Sequence, residues 1–175
     1  MSPLLALPLL WKGDQMNEAA KVLVELLKTN GLTVTTAESC TGGLVSSAIT
    51  AIPGASAVLD GAIVSYSPAV KGRFLEVDPA ILYEVGVVSE ECASAMAKGA
   101  AKLFSADTAI AITGNAGPSA GDPNVPVGTV FVAAYLFGET VVEKLSLSGD
   151  RETVRIAAAK AAIRLLCRCL QETFG

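Results

Sequence analysis

Apolar residues along the chain follow two kinds of spacing, one typical of helices and one typical of strands. Residues 16–30 carry apolar positions at helical spacing and precede Gly31, which predicts a helix that ends in a left-handed turn. The β-branched residues 32–37 predict a short strand, and residues 44–52, LVSSAITAI, predict a second helix. Between this strand and this helix lies a tight corner, ESCTGG.

The remaining elements alternate between strands and helices. Ser89 followed by two glutamates predicts a helix start, and Asp150 predicts a helix N-cap. Strands are predicted at residues 57–66, 107–112, 128–136 and 140–147, and helices at residues 67–75, 90–104 and 151–172. Helices on both faces of a mixed sheet give an α/β fold, a three-layer α/β/α sandwich.

The length of 175 residues suits a single domain with a sizeable core. We expect this domain to span residues 16–175, after an N-terminal extension at residues 1–15. The extension is apolar but lacks a basic n-region and a small-residue cleavage site, which disfavours a signal peptide. An upstream extension and an arm that packs on a partner both remain open.

Composition argues against two classes of partner. Hydrophobic residues make up 51% of the chain, yet no run approaches the ~20 apolar residues that a membrane span needs. The 13 basic and 17 acidic residues give a net charge of -4, and no Lys/Arg cluster is present to neutralise a phosphate backbone. We therefore expect neither a membrane nor a nucleic acid as a partner.

The chain has no histidine and four cysteines, Cys40, Cys92, Cys167 and Cys169. The cysteine spacing does not match a metal site, so we expect no metal and interpret these residues as reduced thiols of a cytoplasmic protein. Without histidine, Ser-His-Asp and Cys-His catalysis within this chain are excluded.

The corner before the second predicted helix holds Ser39, Cys40, Gly42 and Gly43. At a helix N-terminus the Ser39 hydroxyl would lie among free N–H groups that favour an anion, although a simple N-cap also explains the serine. Cys40 is either a second candidate nucleophile or an inert small hydrophobe. The glycines either let a ligand approach the backbone or allow close packing of the helix on the sheet.

Tyr66 at the end of a predicted strand and Lys71 in the following helix can reach the same sheet edge. A buried lysine can be neutral near pH 7 and can take a proton from serine, which is the known substitute for histidine. A surface lysine and a packed tyrosine are the alternative interpretation.

The loop at residues 113–127 directly follows a strand and is rich in Gly, Pro, Asn and Asp. Thr113 and the amides from Gly114 to Gly117 are candidates for holding a ligand's polar groups, although turn formation explains this composition equally well. Arg151 opposes the dipole at the start of the last helix, which suggests either an anion clamp or a solvated side chain.

Taken in order, several motifs resemble the CinA C-terminal domain family and its stand-alone nicotinamide mononucleotide deamidases, called PncC. The similarity spans residues 20–170, in the motifs TAESCTGGLVSSAIT, PGASAVLDGAIVSYS, GVVSEE, AITGNAGP, PVGTVFVAA and SGDRETVR. The resemblance implies hydrolysis of the carboxamide of nicotinamide mononucleotide to nicotinate mononucleotide and ammonia, without a metal or organic cofactor. It also implies a homodimer or a higher homo-oligomer.

The resemblance further implies roles for individual residues. Ser39 looks like the nucleophile, Lys71 like its base, Tyr66 like a polar partner that links them, and Thr113 like a group that orients the amide or its oxyanion. The implied substrate-binding residues are Thr41, Gly42, Gly43, Gly114, Asn115, Ala116, Gly117 and Arg151, the last of which would meet an anionic group.

Four sites depart from the usual family pattern. Family members usually have Arg-Gly at Gly61-Ala62, asparagine at Pro68, isoleucine at Asn115 and lysine at Val125. These departures keep two alternatives open beside the deamidase: a catalytically silent paralogue that binds a nucleotide or a protein partner, and an amidase for a different amide.

Overall fold

The computed structural model describes residues 10–121 and 123–175, so residues 1–9 of the predicted extension lie outside the described part. The described helices are α1 (Leu10–Asn30), α2 (Leu44–Thr50), α3 (Pro68–Leu75), α4 (Glu90–Phe104) and α5 (Arg151–Phe174). The described strands are β1 (Val34–Glu38), β2 (Leu59–Val64), β3 (Thr108–Gly114), β4 (Thr129–Leu136) and β5 (Glu139–Ser146). None of the described helices is long and apolar enough to cross a membrane.

The predicted order of helices and strands is confirmed, but several boundaries differ: for example, α2 ends at Thr50 and β2 spans Leu59–Val64. Helix α1 begins at Leu10, not at residue 16, so the helix extends into the residues expected to precede the domain. The N-terminal part of α1 contacts α5, where Lys160 Nζ donates a hydrogen bond to Gln15 Oε1. A π-helical turn at Ile81–Val85 was not predicted.

The strands form one mixed sheet in the order β2-β1-β3-β4-β5. Strands β2, β1 and β3 are parallel, whereas β4 and β5 pair in antiparallel fashion. Three parallel strands place their carboxyl ends at one edge of the sheet, where α/β proteins bind their ligands. This edge brings together the chain segments after β1, after β2 and at the end of β3.

Helices cover both faces of the sheet and complete the predicted three-layer sandwich. Strand β3 directs Ile110 and Ile112 toward the layer of α1, α2 and α5, and its alanines toward α4. Small residues also bring α3 close to α4: a Cβ atom added at Gly99 would lie 2.1 Å from the carbonyl oxygen of Leu75. This close packing holds α3 against the carboxyl edge of the parallel strands.

Candidate active site

Ser39 and Lys71 meet at the carboxyl edge of the sheet. Ser39 directly follows β1, and Lys71 lies in α3, whose N-cap Ser67 accepts a hydrogen bond from the Val70 amide. Lys71 Nζ lies 3.1 Å from Ser39 Oγ, and the two residues are only 1% and 8% exposed. The structure therefore brings together the two residues expected to be base and nucleophile.

The surroundings of Lys71 suit a neutral amine. Its Nζ donates to the carbonyl oxygens of Ser65 (2.6 Å) and Tyr66 (3.4 Å), and no carboxylate among the described residues forms an ion pair with it. Burial lowers the pKa of Lys71 below the ordinary lysine value. A neutral amine has two N–H donors and one lone pair, which match two carbonyl acceptors and the Ser39 hydroxyl.

Two cysteines lie near this pair but remain thiols at neutral pH. Burial raises the pKa of both Cys40 and Cys92 to about 11. A thiol is a poor nucleophile compared with its thiolate. The environment therefore disfavours Cys40 as the nucleophile, and all four cysteines are free and buried.

The sequence-based interpretation missed Glu38, which fills the anion site at the start of α2. Its fully buried carboxylate accepts hydrogen bonds from the amides of Gly43 (3.0 Å), Val45 (3.1 Å) and Ser46 (2.9 Å). Ser39 is therefore not the N-cap, a position that Gly43 holds in the left-handed conformation with φ 103°. An acidic residue just ahead of a predicted helix was the available signal, because carboxylates favour helix N-termini.

Three predicted substrate-binding residues of the corner do not line the cavity, so their role in binding stays a prediction. Thr41, Gly42 and Gly43 are not among the described residues that line the cavity at Ser39. The amide of Gly43 already donates to Glu38, and the amide of Gly42 donates to the Ser39 carbonyl oxygen at 3.0 Å. The amides of Gly42 and Gly43 are therefore engaged within the corner.

Arg155 also holds this corner and was not predicted. From α5 its Nε donates to the carbonyl oxygen of Cys40 (3.0 Å), and its NH2 group donates to that of Thr41 (2.9 Å). The sequence around Arg155 does not predict this contact, because the acceptors are backbone carbonyls more than a hundred residues earlier in the chain.

A cavity of about 300 Å³ opens beside the Ser39–Lys71 pair. Its lining residues are Ser39, Cys40, Tyr66, Lys71, Val87, Val88, Thr113, Gly114, Asn115, Ala116, Ser119, Gly121 and Arg151. A larger cavity of about 570 Å³ along the outer side of α5 contains no nucleophile beside a base. The smaller cavity is therefore the candidate active site.

Thr113 and Asn115 form one wall of this cavity. The Thr113 hydroxyl donates to the carbonyl oxygen of Val87 at 2.5 Å, so its own proton is engaged and its oxygen can only accept from a ligand. The Asn115 side chain donates to Val125 O (3.1 Å) and accepts from the Gly117 amide (3.4 Å). Asn115 thus ties the two ends of the long loop together.

Arg151 and Tyr66 meet at the rim of the cavity. Arg151 donates to the carbonyl oxygen of Gly117 (2.6 Å) and to the Tyr66 hydroxyl (3.0 Å). The Tyr66 side chain is 58% exposed, so the expectation that its phenol links Ser39 and Lys71 is not met in this arrangement. Only the main-chain carbonyl of Tyr66 contacts Lys71, because the side chain leaves the strand end toward the rim.

No metal site accompanies this arrangement in the described part of the chain. No group of three or more His, Cys, Asp or Glu side chains there could hold a metal ion. Fold and site together define the class of protein: an α/β/α sandwich in which a serine lies beside a buried lysine at the carboxyl edge of the sheet.

Comparison with known proteins identifies the family within this class. The model of the CinA C-terminal domain matches residues 16–170, and the chain belongs to this family. A CinA-like protein of Kosmotoga olearia is 45% identical over 150 residues, which are 86% of this chain and 36% of that protein. A CinA-like protein of Mycobacterium tuberculosis is 47% identical over 141 residues, 80% of this chain and 33% of that protein. The chain thus spans about a third of the length of these curated relatives.

Solved structures of the superfamily have the same fold. A CinA superfamily protein from Klebsiella pneumoniae superposes with a TM-score of 0.87 at 34% identity, over 90% of this chain and 98% of that one. The competence/damage inducible protein CihA from Agrobacterium tumefaciens gives a TM-score of 0.85 at 36% identity, over 90% of this chain and 96% of that one.

Proposed function

We propose that the protein is an amidohydrolase that converts nicotinamide mononucleotide to nicotinate mononucleotide and ammonia. The observation that carries this proposal is the 3.1 Å separation of Lys71 Nζ and Ser39 Oγ in a buried site where the pKa of the lysine is lowered. The substrate is the one implied by the resemblance of the sequence motifs to the deamidases of the CinA C-terminal domain family, to which the chain belongs.

The pair performs the reaction in two steps. Ser39 Oγ attacks the carboxamide carbon while its proton passes to Lys71 Nζ, and the carbonyl oxygen becomes an oxyanion. The C–N bond then breaks, Lys71 returns the proton to the nitrogen, and ammonia leaves an acyl-serine. A water molecule attacks this ester with Lys71 again as base, which releases the carboxylate and restores Ser39.

Thr113 and Arg151 bind the two ends of the substrate in this proposal. The Thr113 oxygen accepts a hydrogen bond from the amide NH2 group, since its own proton is held by the Val87 carbonyl. Arg151 lines the cavity at its exposed rim, where its guanidinium suits the phosphate of a mononucleotide. The amide nitrogen therefore lies deep in the cavity and the phosphate near solvent.

The test is the release of ammonia from nicotinamide mononucleotide by the purified protein, compared with Ser39→Ala. Loss of the nucleophile is expected to lower the rate by about 10⁴-fold or more. Ser119→Ala, another serine of the same cavity wall, serves as the control and should keep a rate within about threefold. Equal ammonia release by wild type and Ser39→Ala would contradict the proposal.

A catalytically silent binding protein is the second candidate, favoured by the position of two departures. Asn115 lines the cavity, and Val125 accepts its hydrogen bond, so both shape the proposed substrate site. Binding of nicotinamide mononucleotide without ammonia release would identify this alternative. Release of ammonia from another amide, but not from this one, would identify an amidase with a different substrate.

A further inference from the structure

The corner after β1 contains two backbone amides without an acceptor. Among the described residues, every other amide from Ser39 to Leu44 donates a hydrogen bond, but those of Cys40 and Thr41 donate none. Cys40 is only 6% exposed and Thr41 is fully buried. Buried N–H groups without a partner are rare in native proteins and call for a functional explanation.

The carbonyl side of the same peptides is firmly held. Arg155 donates to the carbonyl oxygens of Cys40 and Thr41, and the Gly42 amide donates to that of Ser39. The C=O of one residue and the N–H of the next residue belong to one rigid trans peptide. Arg155 on the Thr41 carbonyl therefore fixes the Gly42 amide, and the hydrogen bond from Gly42 to the Ser39 carbonyl in turn fixes the Cys40 amide.

We infer that Arg155 is a positioning residue that aims the unpaired Cys40 amide at the oxyanion formed when Ser39 attacks its substrate. The inference rests on the proposed nucleophilic role of Ser39. Cys40 follows Ser39 in the chain and lines the same cavity. In α/β-hydrolases the residue after the nucleophile supplies one oxyanion donor in the same way.

Other donors near the cavity have other acceptors or, in the case of Arg151, another proposed role at the phosphate. The Thr113 hydroxyl donates to Val87 O, and the Gly43 amide donates to Glu38. Arg151 donates to Gly117 O and to the Tyr66 hydroxyl at the rim. The Cys40 amide, in the residue directly after Ser39, is a donor for which the described structure shows no acceptor.

The experiment measures how fast Ser39 reacts with diisopropyl fluorophosphate, followed by intact-protein mass spectrometry. Ser39 Oγ forms a bond to phosphorus, the P–F bond breaks, fluoride leaves, and the serine proton passes to Lys71. The phosphoryl oxygen gains charge during this step and needs the same donors as a carboxamide oxygen. The probe contains no nicotinamide, so the result does not depend on the proposed substrate.

The expected result separates positioning from general stability. Arg155→Met should slow labelling by about 10- to 100-fold, less than the complete loss of an oxyanion donor. Arg155→Lys, which can reach one carbonyl at a time, should give an intermediate rate. Arg164→Met removes an exposed arginine of the same helix and should leave the rate unchanged. With a substrate that is hydrolysed, Arg155→Met should lower kcat and leave KM within about threefold.

Two results would overturn the inference. One is a folded Arg155→Met or Arg155→Lys protein that is labelled as fast as the wild type; if the Met variant does not fold, the Lys variant decides. The other is a wild-type protein that is not labelled at Ser39 at all. Normal labelling without ammonia release from nicotinamide mononucleotide would leave the inference standing and contradict only the proposed substrate.

Discussion

Two segments line the candidate active site, and they are built in opposite ways. The corner after β1, residues 38–43, is held by two charged side chains: Glu38 binds amides from inside, and Arg155 binds carbonyls from α5. The loop after β3, residues 115–127, is held mainly by the side chain of Asn115 and by Arg151 on Gly117 O. The corner carries the nucleophile, whereas the loop forms the cavity wall.

This difference suggests a division of labour. Buried charges on backbone groups fix the corner in one geometry, which a nucleophile requires. The loop is held by hydrogen bonds from the side chains of Asn115 and Arg151, and two of the four departures from the family pattern, Asn115 and Val125, lie there. Changes in the corner should therefore alter kcat or stability, and changes in the loop should alter KM.

The largest effect is expected from removing Lys71, the general base that acts on the nucleophile of the corner. Lys71→Met keeps the length of the side chain but cannot accept the proton of Ser39, so kcat for ammonia release should fall by about 10⁴-fold. Lys98→Met, at an exposed position of α4, is the control and should retain its activity. Turnover by Lys71→Met within tenfold of the wild type would refute the assigned role.

The next effect concerns the stability of the corner. Glu38→Gln keeps the shape of the side chain but removes a buried charge that accepts three amide hydrogen bonds, which should lower the free energy of unfolding by about 3 kcal/mol. Urea unfolding measures this change. Glu91→Gln, an exposed glutamate in the first turn of α4, should cost less than about 1 kcal/mol. Equal losses for both variants would mean that the buried carboxylate does not hold the corner.

Substitution of Arg151 at the rim of the cavity should weaken the affinity for the substrate. Arg151→Met removes the cation expected at the phosphate and should raise KM by about 10- to 100-fold, with kcat changed far less. The ratio of KM for the nucleotide to KM for nicotinamide riboside, which lacks the phosphate, checks this expectation. A variant that loses activity equally on both compounds would indicate that Arg151 does not bind the phosphate.

The smallest effect is expected from the loop. Asn115→Ala breaks the bond to Val125 O and leaves the backbone bonds at the loop ends, so KM should rise by about three- to tenfold. Asn115→Ile, which introduces the usual family residue, tests whether the loop sets substrate choice. If either variant changes kcat more than KM, the assignment of the loop to binding is wrong.

Much of the fold was predictable because local signals agreed with the tertiary structure. The glycine after α1 and the aspartate before α5 mark helix ends correctly, and the topology places Ser39 near Lys71. The start of α1 at Leu10 was missed because the clear helical spacing of apolar residues begins only at Met16.

The supports of the site were harder to predict than its reactive pair. Glu38 and Arg155 bind backbone atoms, and backbone atoms leave no trace in the residue types of the partner segment. The direction of the Tyr66 side chain depends on Arg151, 85 residues later. The reactive groups can therefore be recognised from the sequence more easily than the residues that hold them in place.

The central claim is that an uncharged Lys71 accepts the proton of Ser39. It is tested most directly by an NMR titration of the lysine Nζ groups, with the Lys71 signal assigned by its absence in Lys71→Met. Because burial lowers the pKa of Lys71, its signal should titrate at lower pH than those of exposed lysines, and kcat should rise with pH through the same transition. A Lys71 signal that stays protonated up to the ordinary lysine value of about 10.4, in an enzyme already active at neutral pH, would contradict the account.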